Sequence, residues 1–475
     1  MFIFMSHKCL RRFFAGFFMP GVEGVINMNE MELMLEKWLD LLEKKKYKEL
    51  KTELNESNPA DIAEFFEEVE VEKRLFVFRL LTKDNAADVF SFMDSDMQAH
   101  IINSITDREV KSIVDDMSMD DTVDLLGEIP ANVVTRILKN TDEEKRAIIN
   151  SFLNYPEDSA GSIMTIEFVQ FHLDTTVKKA MEQLRRTGVD KETIYSCYVV
   201  NEKRVLVGMV SLRTIILSSD DTFIKDIMED DVISVRTLDD QEDTANIFKK
   251  YNLIALPVVD NEDRLVGIIT VDDIVDVIEQ ENTEDIEKMS ALIPSENEYL
   301  KTSVFTLAKN RIVWLLVLMI SGTVSSAIIS GYESVLASSI ILSSFFPILM
   351  DTGGNAGSQS STLIIRGMAI GEIQMADVFK VLWKELRVGA ISGFILAGVN
   401  FVRLVLLKTP LEVNMAVSLS LMATVIIAKC VGCILPIIAK KLKFDPAIMA
   451  GPLITTVVDA ISLIVFFNAA QVFVL

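Results

Sequence analysis

Five long uncharged runs beyond residue 311 constrain this chain more than any other feature. Arg311 and Glu333 bracket 21 uncharged residues; residues 334–350 form a second run, 388–407 a third interrupted by Arg403, 413–439 a fourth holding Lys429, and 446–475 a fifth holding Asp459. About 20 apolar residues, each rising ~1.5 Å, cross a hydrocarbon core as a helix that satisfies its own backbone polar groups. Five membrane spans are the expectation. The first 300 residues are opposite in kind, with 33 Lys/Arg against 61 Asp/Glu, a net −28, whereas residues 301–475 carry 13 against 8. So acidic a surface repels nucleic acid and attracts cations. Lys301, Lys309 and Arg311 precede the first run, Arg366, Lys380, Lys384 and Arg387 lie between the second and third, and Lys440, Lys441 and Lys443 between the fourth and fifth. The excess of basic residues in cytoplasmic loops puts these segments and the acidic part in the cytosol, and five spans then leave the C-terminus outside.

Cys9, Cys197, Cys430 and Cys433 make no disulfide framework, which fits a reducing compartment. Cys430 and Cys433 have the spacing of half a zinc site, but no second pair exists and the three histidines stand apart at 7, 100 and 172, so helix packing through small residues is the reading. The opening MFIFMSHKCLRRFFAGFFMPGV has the outline of a signal peptide without its cleavage site. A cleaner amphipathic pattern starts at Met28, which is taken as the true start, with residues 1–27 an upstream extension.

Residues 28–155 read as short stacked helices of an all-α superhelical N domain: LTKDNAADVFSFMD (81–94) aligns with ITDREVKSIVDDMS (105–118) at an offset of 24, matching Val89 with Ile113, Phe90 with Val114 and Met93 with Met117. After YPEDSAGSIMT the period turns strand-like, and LVGMVSL is echoed by LVGIITV, each followed by a helix. These α/β units, 156–220 and 221–279, resemble a tandem pair of CBS domains. A connecting helix is expected over 280–310, then an all-α transmembrane domain of five helices over 311–475.

Two features mark the membrane part. TGGNAGSQSSTLIIRG (352–367) ends the second apolar run in glycines and small polar residues. Gly353-Gly354-Asn355 invites a helix break that lines water, while Gly353-x-x-x-Gly357 equally suits close helix packing. Asp459 stands mid-span, where a carboxylate costs roughly 2.5–3.5 kcal/mol on insertion scales and therefore faces a cavity, an ion or a partner. Thr455, Thr456 and the glycine main chain offer oxygens to a pore; Lys429 on the fourth run offers a salt bridge instead.

PILMDTGGNAGSQSSTLIIRG, FDPAIMAGPLITTVVDA and YPEDSAGSIMT, in the order helical repeat, CBS pair and five spans, resemble the MgtE family of bacterial magnesium channels from about residue 30 to 475. The resemblance implies a homodimer in the cell membrane that conducts Mg2+ and is closed by cytosolic Mg2+ bound between its soluble domains. Pore residues would be Asp459, Asn355, Gly353, Gly354, Thr455 and Thr456. Regulatory Mg2+ would be held by Asp120, Asp124, Glu242, Asp273, Asp276, Glu281, Glu284, Asp285 and Asp445, while Asn252 stands where some relatives carry a sensor carboxylate. Mg2+ keeps its waters and prefers few carboxylates among many oxygen dipoles, which suits this set, although the same hard ligands accept Mn2+ and Co2+. A membrane-anchored CBS nucleotide sensor is the alternative of another class, but an anchor needs no buried Asp459. Adenine nucleotide at the CBS cleft is left open. An enzyme is not expected, because no histidine follows residue 172 to serve a nucleophile.

Overall fold

The computed structural model describes residues 28–295, 299–300 and 302–474. The signal-like opening and the proposed start at Met28 concern residues 1–27, outside the described residues. The chain divides into two compact units, residues 1–273 and 274–475.

The first unit begins with α1 (Met28–Glu43), α2 (Tyr47–Glu56), α3 (Pro59–Glu68), α4 (Val71–Phe78), α5 (Lys83–Ser91), α6 (Ser95–Ser104), α7 (Asp107–Asp116), α8 (Met119–Glu128), α9 (Ala131–Asn140) and α10 (Glu143–Phe152). From α3 the helices come in pairs whose first residues recur every 24 positions: 59, 83, 107, 131 in one row and 71, 95, 119, 143 in the other. Each row stacks on itself, α3 on α5 on α7 on α9 and α4 on α6 on α8 on α10. The repeat legible in two segments therefore runs through four. Val89, Phe90, Met93, Ile113, Val114 and Met117 are all buried, as are their counterparts one period earlier, Phe65, Phe66 and Val69. Capping side chains start several helices: Asn58, Asp94, Thr106 and Ser118 each accept a main-chain N–H of the first turn.

Two three-stranded sheets follow. β1 (Val169–His172) pairs parallel with β2 (Ser196–Val200), which pairs antiparallel with β3 (Leu206–Ser211). β4 (Val235–Arg236), β5 (Ala255–Val259) and β6 (Leu265–Thr270) repeat that order. The duplicated glycines explain the duplicated motif. Met228 and Glu229 cross β3 at Gly208, where a Cβ would lie 2.6 Å from the Met228 sulfur, and Met164 and Thr165 cross β6 at Gly267 with the same 2.6 Å approach. Asn252 closes the helix α13 (Gln241–Tyr251) in the left-handed conformation, φ 51°, which asparagine tolerates and most residues do not. (α11 is Val177–Thr187 and α12 Leu212–Leu217.)

The helix leaving the second sheet is α14 (Val271–Met289), continuous from the end of β6. The connecting helix thus starts nine residues earlier than 280 and stops at Met289, well before 310. In the second unit α15 (Val304–Gly331), α17 (Phe346–Ala369), α18 (Val378–Leu406), α19 (Leu411–Lys441) and α20 (Gly451–Phe473) are the long helices among the described residues, with the short α16 (Glu333–Ser338) between the first two. Among the described residues four segments are long and apolar enough to cross a membrane, Val304–Gly331, Met375–Leu406, Leu411–Lys441 and Pro446–Phe473. The second expected span, 334–350, is not one helix: it breaks at Ser339, turns through Ile340–Phe345, and α17 starts beside Pro347. α17 is 24 residues long and packs on α19 and α20. The small polar residues that lower its hydropathy are also what admit its neighbours.

Candidate functional site

Gly353, Gly354 and Asn355 lie inside the unbroken α17, so the expected unwinding and its free main-chain oxygens are absent there. The glycines are packing sites. A Cβ on Gly353 would lie 2.7 Å from Thr424 and 2.9 Å from Val458 and Ser462, one on Gly354 would lie 3.0 Å from Thr455, and one on Gly357 would lie 2.7 Å from Ile454. Gly432 of α19 receives the Gly357 carbonyl in the space where its own Cβ would stand. Small residues allow this approach where the bilayer supplies no hydrophobic drive between helices.

The opposite face of α17 is polar and exposed. Asp351, Asn355 and Gln359, spaced four apart, form a stripe on the single chain, continued by Thr362 and Arg366. Beside it α20 carries Thr455, Thr456 and Asp459, all half-buried. Both threonine hydroxyls donate to the Pro452 carbonyl, at 2.8 and 2.9 Å, which leaves their oxygen lone pairs as acceptors. Asp351 lies within electrostatic reach of Asp459. Among the described residues Lys429 makes no ion pair with Asp459. Lys429 is 7% exposed as a residue; its ammonium donates to Ser360 Oγ at 3.3 Å, and the Ser360 hydroxyl donates to Glu385 Oε2 at 2.5 Å. This buried Lys429–Ser360–Glu385 chain ties α17, α18 and α19 together and replaces the salt bridge weighed from sequence. Glu385 was hidden because the basic segment 380–387 reads as a loop, whereas α18 already begins at Val378.

In the first unit the acidic residues gather around α8. Asp120 is buried, and among the described residues its Oδ1 has no hydrogen-bond partner. Asp273 accepts hydrogen bonds from Thr270 N at 3.3 Å and Thr270 Oγ1 at 2.8 Å. Loss of hydration, then the charge of Asp120, pushes the Asp273 carboxyl up to about 7. Loss of hydration, then Asp120 and Asp272, does the same to Glu192, also to about 7. Glu167 is raised by loss of hydration and then Asp120, with Lys145 and Lys191 opposing, and Asp121 is raised chiefly by loss of hydration. Asp120 thus lies within electrostatic reach of Asp273, and of Glu167 and Glu192, which the sequence did not single out because neither stands in an acidic run. Asp124 lies one turn beyond Asp120 on α8, Glu242 in the first turn of α13, and Asp276 and Glu281 along α14.

A second gathering lies in the other unit, at the end of α14. Lys288 bridges Glu284 at 2.6 Å and Asp445 at 2.7 Å. Asp445 also caps the turn Pro446–Met449 by accepting from Ala447 N at 2.8 Å. Loss of hydration, then Asp445, raises the Asp285 carboxyl. Loss of hydration lowers the Lys288 ammonium, but hydrogen bonds to Asp445 and Glu284 outweigh it and raise it overall. Arg366 of α17 donates to Asn282 of α14 at 3.2 Å. The end of α14 therefore touches the helices that carry both the polar stripe and Asp459. Among the described residues no group of three carboxylate, histidine or cysteine side chains is arranged to hold a metal ion.

A domain of several membrane-length helices with buried charges, preceded by a pair of α/β units and a helical solenoid, is the architecture of a multi-pass membrane protein with large soluble domains. The chain matches the family described as divalent cation transporter over residues 346–469, the MgtE intracellular N domain over 57–158, and CBS domains over 160–220 and 224–280. It is 37% identical to the magnesium transporter MgtE of Thermus thermophilus across 89% of this chain and 94% of that one, and 33% identical to that of Bacillus subtilis across 95% and 99%. A solved soluble part of a magnesium transporter superposes with a TM-score of 0.50 at 33% identity, covering 53% of this chain and 99% of that one. The chain belongs to the MgtE family.

Proposed function

We propose that two copies of this chain form a channel that imports Mg2+ across the cell membrane, and that cytosolic Mg2+ closes it. The observation that carries the reading is Asp459, a carboxylate in the middle of α20 with no ion pair among the described residues, beside the exposed Asp351–Asn355–Gln359 stripe. Such a stripe is costly against lipid and suits a water-filled path completed by a second copy of the same face. Mg2+ passes as a hydrated cation: Asp459 supplies the countercharge, and Asn355, Thr455 and Thr456 accept hydrogen bonds from its waters. Gly353 and Gly354 act one step back, letting α20 approach α17 so that these groups share one path. The homology to magnesium transporters supports Mg2+ as cargo, ahead of Mn2+ or Co2+.

Regulation follows from the two acidic gatherings. Like charges around Asp120 and Asp273 repel, and Mg2+ there offsets that repulsion and favours the docked arrangement of the N domain on the CBS pair, with Asp124 contributing from the next turn of α8; Glu242 on α13 and Asp276 on α14 are further candidate ligands for regulatory Mg2+. Mg2+ near Glu281, Glu284, Asp285 and Asp445 acts on the end of α14 and hence on the inner ends of α17 and α20. The excess of basic residues in the loops supports a cytosolic position for the soluble domains, and with α17 counted as a fifth crossing the C-terminus lies outside. Adenine nucleotide is a further candidate partner of the CBS cleft. In proteoliposomes holding a Mg2+ indicator, an inward gradient should give uptake that Mg2+ on the cytosolic face suppresses and K+ at matched ionic strength does not. Absence of uptake would overturn the transport reading, and equal suppression by both salts would overturn the regulatory one.

A further inference from the structure

Lys288 occupies an unusual place for a basic residue in so acidic a helix. Its ammonium sits between Glu284 Oε1, one turn back on α14, and Asp445 Oδ2, at the turn that leads into α20. Asp285 stands alongside, its carboxylate sensing Asp445, Lys288, Glu284 and Arg366. The side chains of Lys288, Glu284 and Asp445 are 21%, 36% and 30% exposed, so the bridge is reachable from water yet partly desolvated. One residue further on, the Met289 carbonyl oxygen presses against Gly451, the first residue of α20. A Cβ on Gly451 would lie 2.5 Å from that oxygen, and its φ of +44° is one that side chains disfavour. The bridge and the glycine contact together fasten the end of α14 to the start of the helix carrying Asp459.

The bridge places a single positive charge on the same two carboxylates that a regulatory dication would use. We propose that Lys288 is a tethered counter-cation of this cluster: it holds α14 on the start of α20 when divalent cation is scarce, and it competes with the dication for Glu284 and Asp445, so setting the concentration at which inhibition begins. The proposal rests on the reading of this cluster as a regulatory cation site. An ammonium about 5 Å from a bound dication opposes it, at the dielectric of water, by on the order of a tenfold change in affinity. Releasing the lysine from both carboxylates is therefore part of the work of binding.

The test uses the full chain in lipid nanodiscs, with hydrogen exchange of residues 281–289 as the measure of docking, and the same chain in proteoliposomes for the half-inhibiting Mg2+ concentration. Wild type should already be protected over 281–289 with chelator present; no protection would overturn the proposal whatever the variants do. Lys288→Gln should lose that protection, regain it with Mg2+, and be half-inhibited at roughly tenfold lower Mg2+. Lys288→Arg, which keeps the cation, should stay close to wild type. A Lys288→Gln midpoint equal to or above wild type would reduce Lys288 to an ordinary staple and overturn the competition. If wild type responded to Mg2+ no differently from ionic-strength-matched K+, the regulatory reading itself would fall, a result distinct from an unshifted Lys288→Gln midpoint.

Discussion

Replacing Lys429 by methionine should destabilise the membrane domain through Glu385 and leave Asp459 unaffected. Lys429 is 7% exposed, Glu385 9% and Ser360 fully buried, and the directed chain runs from the ammonium through the serine hydroxyl to the carboxylate. Removing one member of a buried pair costs about 3–5 kcal/mol, because the survivor is left charged without compensation. Insertion scales bound a lone mid-membrane charge at roughly 2.5–3.5 kcal/mol, so about 3 kcal/mol is expected for Lys429→Met. Glu385→Gln should cost a similar amount, and the double variant much less than the sum, giving a coupling of about 2 kcal/mol in a double-mutant cycle. The cycle of Lys429→Met with Asp459→Asn should instead be additive within about 0.5 kcal/mol. Unfolding in mixed micelles titrated with dodecyl sulfate measures both. Additivity between Lys429 and Glu385 together with coupling between Lys429 and Asp459 would refute the assignment.

Gly432→Ala should weaken the packing of α19 on α17 by about 1–3 kcal/mol, because its methyl would meet the Gly357 backbone, which cannot rotate away; the same micelle unfolding reports it, and Gly398→Ala on α18, with nothing within 4 Å, is the control that carries only the change in helix propensity. The Asp273 and Glu192 carboxyls, pushed up to about 7, hold protons in the folded state that the unfolded chain has already released, so stability should fall as pH rises from the ordinary carboxylate range through 7. Urea unfolding of residues 28–273, followed by its single tryptophan, Trp38, should show that decline between pH 5 and 8, with Asp273→Asn and Glu192→Gln flattening it; a midpoint rising with pH would contradict the crowding. Deleting residues 28–150 should leave a folded channel less inhibited by cytosolic Mg2+ in the flux assay, since Asp120 would no longer face Asp273.

What the sequence disclosed depended on how local the physics was. The solenoid was legible because its 24-residue period repeats both the apolar positions and the capping residues between helices, and the sheet duplication because each glycine sits at the same crossing. Residues 352–367 misled, since glycine, asparagine and serine favour loops in water but in a helical bundle keep the helix and admit close neighbours. Which neighbours they admit, Thr424, Thr455 and Val458, is a tertiary fact that no local pattern carries. The partner of Lys429 was hidden for the same reason: Ser360 and Glu385 lie 69 and 44 positions away on other helices. Glu167 and Glu192 acquire their role only when the solenoid meets the sheets. Lys288 was passed over because net charge counts the acidic helix as one block, while a single ammonium placed between two carboxylates changes what that block can bind.

Asp459 is the residue on which the proposed transport path turns, and its neutral isostere tests this most directly. Asp459→Asn should assemble and unfold like wild type, because no ion pair among the described residues is broken, while Mg2+ uptake into proteoliposomes disappears for want of the countercharge that a hydrated dication needs in the membrane. Wild-type uptake by a well-assembled Asp459→Asn protein would contradict the account.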